Sequence, residues 1–150
     1  MTKRSMLRRG ALIACLLAAP AWAQTVEVNH PWVRGTVTGQ TATGAFMELK
    51  SPEGATLVGV SSPVCKLAQI HQMAMSGNVM RMHAIAKLEL PAGQAVELKS
   101  GGYHIMLTGL KRQLHKGETV PLTLKIETKD KKLVNVEVKA EVRALTAMAM

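Results

Sequence analysis

No segment of this chain sustains a helical period of apolar residues; short β-rich runs recur instead, broken by Gly, Pro and Ser. That pattern constrains the fold more than any other feature, because short strands are not stable alone and must assemble side by side. The candidate strands are Val26–Val28, Gly44–Leu49, Thr56–Val60, Lys66–Met75, Val79–Ile85, Val96–Leu98, Tyr103–Thr108, Val120–Thr128 and Leu133–Val142. Between them lie turn signals such as "SPEG" (51–54), "SSP" (61–63), "SGN" (76–78), "LPAG" (90–93), "SGG" (100–102) and "TKDKK" (128–132). Many short strands at regular spacing imply an all-β chain, an antiparallel Greek-key β-sandwich forming a single domain. The last two strands alternate cleanly. Leu122, Leu124 and Ile126 share one face, as do Val134, Val136 and Val138, while Lys125, Glu137 and Lys139 point to solvent.

The first 23 residues stand apart. Lys3, Arg4, Arg8 and Arg9 precede the apolar "ALIACLLAAP", and Ala21-Trp22-Ala23 is an A-x-A cleavage site. This reads as a secretory signal over residues 1–23, leaving an exported domain over 24–150. A rival reading takes Leu12-Ile13-Ala14-Cys15 as a lipoprotein box, but only five residues separate Arg9 from Cys15, too few for a normal apolar region. The apolar run is also too short to span a bilayer, so no stable membrane insertion is expected. Removing the four basic residues lowers the net charge from +9 to +5, and export excludes nucleic acid as a partner. The remaining positive charge favours an acidic protein or an anionic lipid face.

Cys15 leaves with the signal and Cys65 stays alone, so no disulfide framework can form. Methionine is the compositional oddity. Met73, Met75, Met80 and Met82 crowd into ten residues of a chain that has one Phe and one Tyr.

In "GGYHIML" (101–107), His104 and Met106 share one strand face, because residues two apart point the same way. In "QIHQMAMSGNVMRMHAI" (69–85), His71, Met73 and Met75 share a face of one strand, and Met80 and Met82 share a face of the next. A two-residue loop at Ser76-Gly77 would pair Met75 with Asn78, Met73 with Met80, and His71 with Met82. Two imidazoles (His71, His104) and two thioethers (Met82, Met106) suit Cu(I), one per chain. Thioethers select it over harder divalent ions, and they cannot be lost to a disulfide in an oxidising compartment.

With those residues in view, the chain resembles the PCuAC family of periplasmic copper chaperones. Their motif is a His, ten residues, a Met, twenty-one residues, then His-x-Met; His71, Met82 and "HIM" at 104–106 match it without a gap. The stretches "PWVRGT", "GAFMEL", "PAGQAVELKSGGYHIMLTGLK" and "GETVPLTL" extend the resemblance over nearly the whole of residues 24–150. The resemblance implies a cupredoxin-like β-sandwich that binds Cu(I) and helps metallate respiratory oxidases. Its partner would be a copper-receiving oxidase subunit or another copper chaperone, and the chain is read as a monomer with no enzymatic activity. Gln72 stands where some members carry a second Met, and Met148 and Met150 are a poor substitute for a His- and Met-rich C-terminal extension.

Other residues have plainer readings. Met73 and Met75 are candidate accessory thioethers; Met80 reads as packing, Met47 as core, Trp32 as a structural anchor, and His30, His83 and His115 as surface residues. Two rivals compete with copper delivery. A blue-copper electron carrier would use Cys65, His71 and Met75 with His30 upstream, but some 75 residues follow that cluster and His104 and Met106 go unexplained. A non-metal envelope binding module would use the methionines as an apolar patch. Sparse, scattered carboxylates and the lack of a Ser-His-Asp set argue against an enzyme.

Overall fold

A computed structural model describes residues 25–146. The signal and lipoprotein-box readings of the N-terminus, and the terminal Met148 and Met150, lie outside the described residues. Ten strands run in order: β1 Glu27–Arg34, β2 Ala42–Lys50, β3 Ala55–Ser61, β4 Cys65–Ser76, β5 Val79–Ile85, β6 Leu88–Leu90, β7 Ala95–Leu98, β8 Tyr103–Leu110, β9 Thr119–Thr128 and β10 Leu133–Arg143. They form one all-β sheet of order β5-β4-β8-β7-β2-β1-β10-β9-β3-β6. The sheet curls until β3 and β4, near its opposite ends, pack together. The enclosed face is the core: Val33, Leu49, Leu57, Ile105, Leu107, Leu122, Leu124 and Ile126 have no accessible surface. Each such side chain contributes about 1.5–3 kcal/mol of apolar burial.

Most pairings are antiparallel, as the turn signals require. Two are parallel and tie together strands that no hairpin could join: β1 with β10 through Trp32↔Glu141, and β7 with β8 through Leu98↔Tyr103. β2 divides its edge. Ala42–Ala45 pair with β8, whereas Met47–Lys50 pair with β7, so Phe46 sits at the fork.

Two elements exceed the sequence reading. β1 continues to Arg34, through His30-Pro31, beyond the expected end at Val28. A bulge between Asn29 and Trp32, with His30 at φ 50°, absorbs the proline and lets pairing resume. β6 is only three residues, too short for a period to be read, and it is fixed by pairing with β3.

The β4–β5 register also differs from the expected one. The loop is Gly77-Asn78, not Ser76-Gly77: Ser76 pairs with Val79, Met75 with Met80, Met73 with Met82, and His71 with Ala84. Gly77 leads the loop at φ 64°, where a glycine is favoured at the first central position of a two-residue hairpin turn. His71 and Met82 are therefore not direct partners. Moving the loop by one residue changes each pairing by two, so every side chain keeps its face.

Among the described residues, no helix is long and apolar enough to cross a membrane.

Candidate metal centre

Across β5, β4, β8, β2 and β1, one sheet face packs into the core through Ile70, Ile105, Ala45 and Val33. Strand alternation sends Met80 and Met82, His71, Met73 and Met75, His104 and Met106, Gly44 and Phe46, and Trp32 and Arg34 to the other face. Pairing aligns them: His71 lies opposite His104, Met106 opposite Gly44, and Phe46 opposite Trp32. All four candidate ligands thus occupy one face of three adjacent strands.

His104 is the centre of the arrangement. It is only 6% exposed, although it belongs to the outward face. Its Nδ1 lies 3.3 Å from the carbonyl of Gly102 and its Nε2 3.0 Å from the Met82 sulfur. A carbonyl only accepts, so Nδ1 carries the proton, and in the neutral ring Nε2 presents its lone pair to Met82. A thioether sulfur offers lone pairs and no hydrogen. In that tautomer two lone-pair donors face each other, an arrangement that a soft cation could bridge. Met82 reaches this position over β4, across two strand spacings, roughly 10 Å in all.

His71 approaches His104 edge-on, with ring centroids 5.7 Å apart and planes at 62°. Both of its ring nitrogens are inaccessible and lack a hydrogen-bond partner. Buried imidazole nitrogens without partners are costly, and a cation bound by one of them would offset that cost. Burial first, then the neighbouring His104 and His83, pushes the His71 pKa below the usual imidazole value, so the ring stays neutral and able to donate a lone pair.

Met82, His104 and Met106 line a cleft of about 390 Å³, together with Met73, Met80, Phe46, Gly44 and Arg34. His71 does not line it. Met80, read from the sequence as packing, is 48% exposed and part of the cleft wall. Met73 also lines the cleft, whereas Met75, at 61% exposure, stands outside at the hairpin tip.

The cleft floor is the part that the ligand-type residues did not reveal. Phe46 packs 6.4 Å from His104 and 4.6 Å from Trp32, ring centre to ring centre. Arg34 lies over the Phe46 ring at 5.3 Å, and Arg143 over Trp32 at 5.2 Å. Trp32 is an anchor as expected, but for this aromatic layer on the outer face. A Cβ at Gly44 would meet the Phe46 ring at 2.8 Å, so only glycine lets the ring fold back over β2. The available signal was a glycine inside a strand, which often marks close approach of another group. The fixed charge of Arg34 on the cleft wall disfavours a dication about twice as strongly as a monocation.

Cys65 is placed elsewhere. It lies six residues from His71 along β4, about 20 Å in extended chain. Its sulfur is buried in the core, 3.8 Å from the Ser62 carbonyl, and burial raises its pKa. Cys65, His71 and Met75 cannot hold one ion, and His30 is exposed on the β1 bulge. His83 pairs with Gln72 and faces away from the cleft, and His115 contacts Glu118 at 3.0 Å on the surface. Among the described residues, no three His, Cys, Asp or Glu side chains cluster as a metal site, so a site here depends on its thioethers.

Residues 26–138 match the model of a family described as "Putative lipoprotein LpqE-like". A curated relative from Leifsonia xyli subsp. xyli, "Putative lipoprotein Lxx21020", is 32% identical over 157 residues, covering 93% of each chain. Among solved structures, Cu(I)-DR1885 from Deinococcus radiodurans is 35% identical over 83% of each chain, with a TM-score of 0.61. Apo-DR1885 is 29% identical, covering 95% of this chain and 96% of its own, at 0.59. The copper-bound PCuAC domain from PmoF2 shares the fold at a TM-score of 0.65, with 24% identity over 81% of this chain and 94% of its own.

Proposed function

The chain belongs to the LpqE-like family, and on that premise we propose that it is an exported Cu(I) carrier that passes its ion to another copper protein. The mature unit is residues 24–150, a PCuAC-like domain acting in the periplasm. It holds one Cu(I) between His71, Met82, His104 and Met106. The observation that carries this reading is the approach of the Met82 sulfur to Nε2 of His104, a ring nitrogen whose partner Nδ1 is already engaged. The likeness to a protein solved with Cu(I) at 35% identity supports the choice of ion, and the relative named a lipoprotein supports an envelope location.

Delivery follows from the ligands. Neutral imidazoles and thioethers carry no charge that must be neutralised when the ion leaves, and an incoming thiolate or imidazole can displace thioethers one at a time. The ion keeps its oxidation state, so the carrier needs no catalytic group. The recipient is the copper centre of a respiratory oxidase, reached directly or through another chaperone.

Metal analysis of residues 24–150, purified under reducing conditions with competing zinc, tests the site. The expected result is one Cu(I) per chain, with sulfur and nitrogen scatterers in X-ray absorption. Zinc displacing copper, or full copper retention in His104→Ala, overturns the assignment. A chain that binds no copper would instead be a binding module that uses the methionines as an apolar patch. Delivery is tested in the native host: deleting the gene should lower oxidase activity at scarce copper, and added copper should restore it.

A further inference from the structure

The four methionines of the β4–β5 hairpin are not one group. Met73 and Met82 oppose each other beside His104, and Met75 and Met80 oppose each other one step nearer the tip. Directly opposed Cβ atoms lie about 5 Å apart, and successive pairs on one face about 7 Å apart. The outer pair is 61% and 48% exposed, so these side chains fill no core. Met80 nevertheless lines the same cleft as Met73, Met82 and His104, which joins the outer pair to the inner site. β5 is the edge strand of the sheet and the Gly77-Asn78 loop leads into it, so among the described residues no other strand covers the tip.

We propose that Met75 and Met80 form a separate, outer two-thioether station for Cu(I), through which the ion enters and leaves the inner site. The inference rests on the carrier reading and adds a second binding position to it. Two thioethers hold Cu(I) weakly, which suits a waypoint. Methionine has three rotatable bonds and no branch, so sulfurs of adjacent pairs can swing toward each other. An ion moving inward exchanges a bond to Met75 or Met80 for one to Met73 or Met82, and then for one to His104. At each exchange one copper–ligand bond forms as another breaks, with no electron or proton transferred. The arrangement also explains why the tip carries exposed thioethers where polar side chains would keep an edge strand soluble.

The test is the double substitution Met75→Leu with Met80→Leu, which keeps apolar bulk at exposed positions and leaves the fold undisturbed. Under anaerobic reducing conditions, Cu(I) is loaded from, and withdrawn by, a bidentate Cu(I) chelator and followed by stopped flow. Equilibrium affinity for the first Cu(I) should stay within twofold, while loading and release both slow by tenfold or more, since equal changes in both rates leave their ratio fixed. In the unsubstituted chain with 13C-labelled methionine methyls, the Met82 and Met106 signals should saturate at one equivalent, and those of Met75 and Met80 should shift only beyond it. Unchanged rates in the double variant, or methyls of Met75 and Met80 that do not move past one equivalent, overturn the outer station. So does a first-ion affinity loss as large as that of His104→Ala, which would make the pair part of the inner site. Failure of the carrier reading has a different signature: His104→Ala would then bind copper as well as the unsubstituted chain.

Discussion

The β9–β10 and β4–β5 hairpins have the same backbone plan and opposite uses for their apolar residues. In β9–β10, Leu122, Leu124 and Ile126 have no accessible surface and Val138, Ala140 and Val142 are at most 5% exposed, while Lys125 and Glu137 face water. In β4–β5 only Cys65 and Ile70 are withdrawn into the core, and Met75, Val79, Met80 and Met82 stand between 46% and 61% exposed. The first hairpin is held by the core it builds. The second is an edge ribbon whose apolar face is turned outward around an imidazole. An apolar residue contributes to stability only where its surface leaves water, so hydrophobicity alone does not separate the two hairpins. Residue type does. Branched aliphatics dominate the first and unbranched thioethers the second.

Leu124→Ala should give the largest effect. It empties a fully buried site on β9, at a cost of about 2–5 kcal/mol, read as a lower midpoint in denaturant unfolding. Cu(I) affinity of the surviving folded protein should not change. Met80→Ala, exposed on β5, should stay within about 0.5 kcal/mol of the unsubstituted chain. Equal losses from the two would break the contrast between the hairpins.

Next in size is the effect on copper. Met82→Ala and Met106→Ala should each weaken Cu(I) binding by well over tenfold, or more than about 1.4 kcal/mol. The three remaining ligands cannot recover the lost bond. Met47→Ala, whose side chain is 4% exposed in the core, should leave affinity unchanged while lowering stability. A small, equal loss of affinity across Met47, Met82 and Met106 would mean that methionine content, and no defined site, holds the metal.

These two outcomes bear on how the sequence could be read. Strand alternation is a local property, so "HIM" at 104–106 and the spaced methionines announced a shared outward face before any partner was known. The β9–β10 core was legible for the same reason, although Val134, expected on the core face, is 36% exposed near the turn. The exact partners were not. Ser76-Gly77 and Gly77-Asn78 are both acceptable two-residue loops, and only the folded hairpin chooses the second. The alignment of His71 with His104 joins β4 to β8 across 33 positions of chain, through contacts that no local pattern encodes. The aromatic floor was hidden more deeply. Phe46 and Arg34 look like ordinary strand residues, and their role depends on β2 lying between β8 and β1. β1 runs past its expected end at Val28 because a bulge carries the strand through Pro31, a tertiary solution that no local pattern encodes.

A third prediction concerns acid. Burial beside His104 holds the His71 pKa below the usual imidazole value, about 6.5. Below that value the unfolded chain binds a proton that the folded chain refuses. The stability associated with His71 is therefore present above the unfolded value and is lost as pH falls toward the lowered folded one. Unfolding midpoints of the apo protein should drop on acidification from pH 7 to pH 5, and His71→Gln should flatten that slope. An unchanged slope in the variant would show that His71 is not the group responsible. The β9–β10 hairpin carries no histidine, so a core substitution such as Leu124→Ala should lower stability without altering the slope.

The smallest effect should come from His83→Ala, and its smallness is informative. His83 follows Met82 directly on β5, yet strand alternation turns it to the other face, where it pairs with Gln72 and is exposed. It adds a little to the lowering of the His71 pKa, the third cause after burial and His104. Its removal should leave Cu(I) affinity within twofold and should shift the pH profile slightly upward, since one neighbouring positive charge is gone. In the native host at scarce copper, His83→Ala should restore oxidase activity to a deletion strain, where His104→Ala and Met106→Ala should not. One residue along an edge strand then separates a side chain that holds the ion from one that does not. Should His83→Ala weaken copper binding as much as Met82→Ala, the ribbon would have to be twisted or slipped in solution by an odd number of residues. The outward face assigned to the thioethers would then be wrong along the whole of β5.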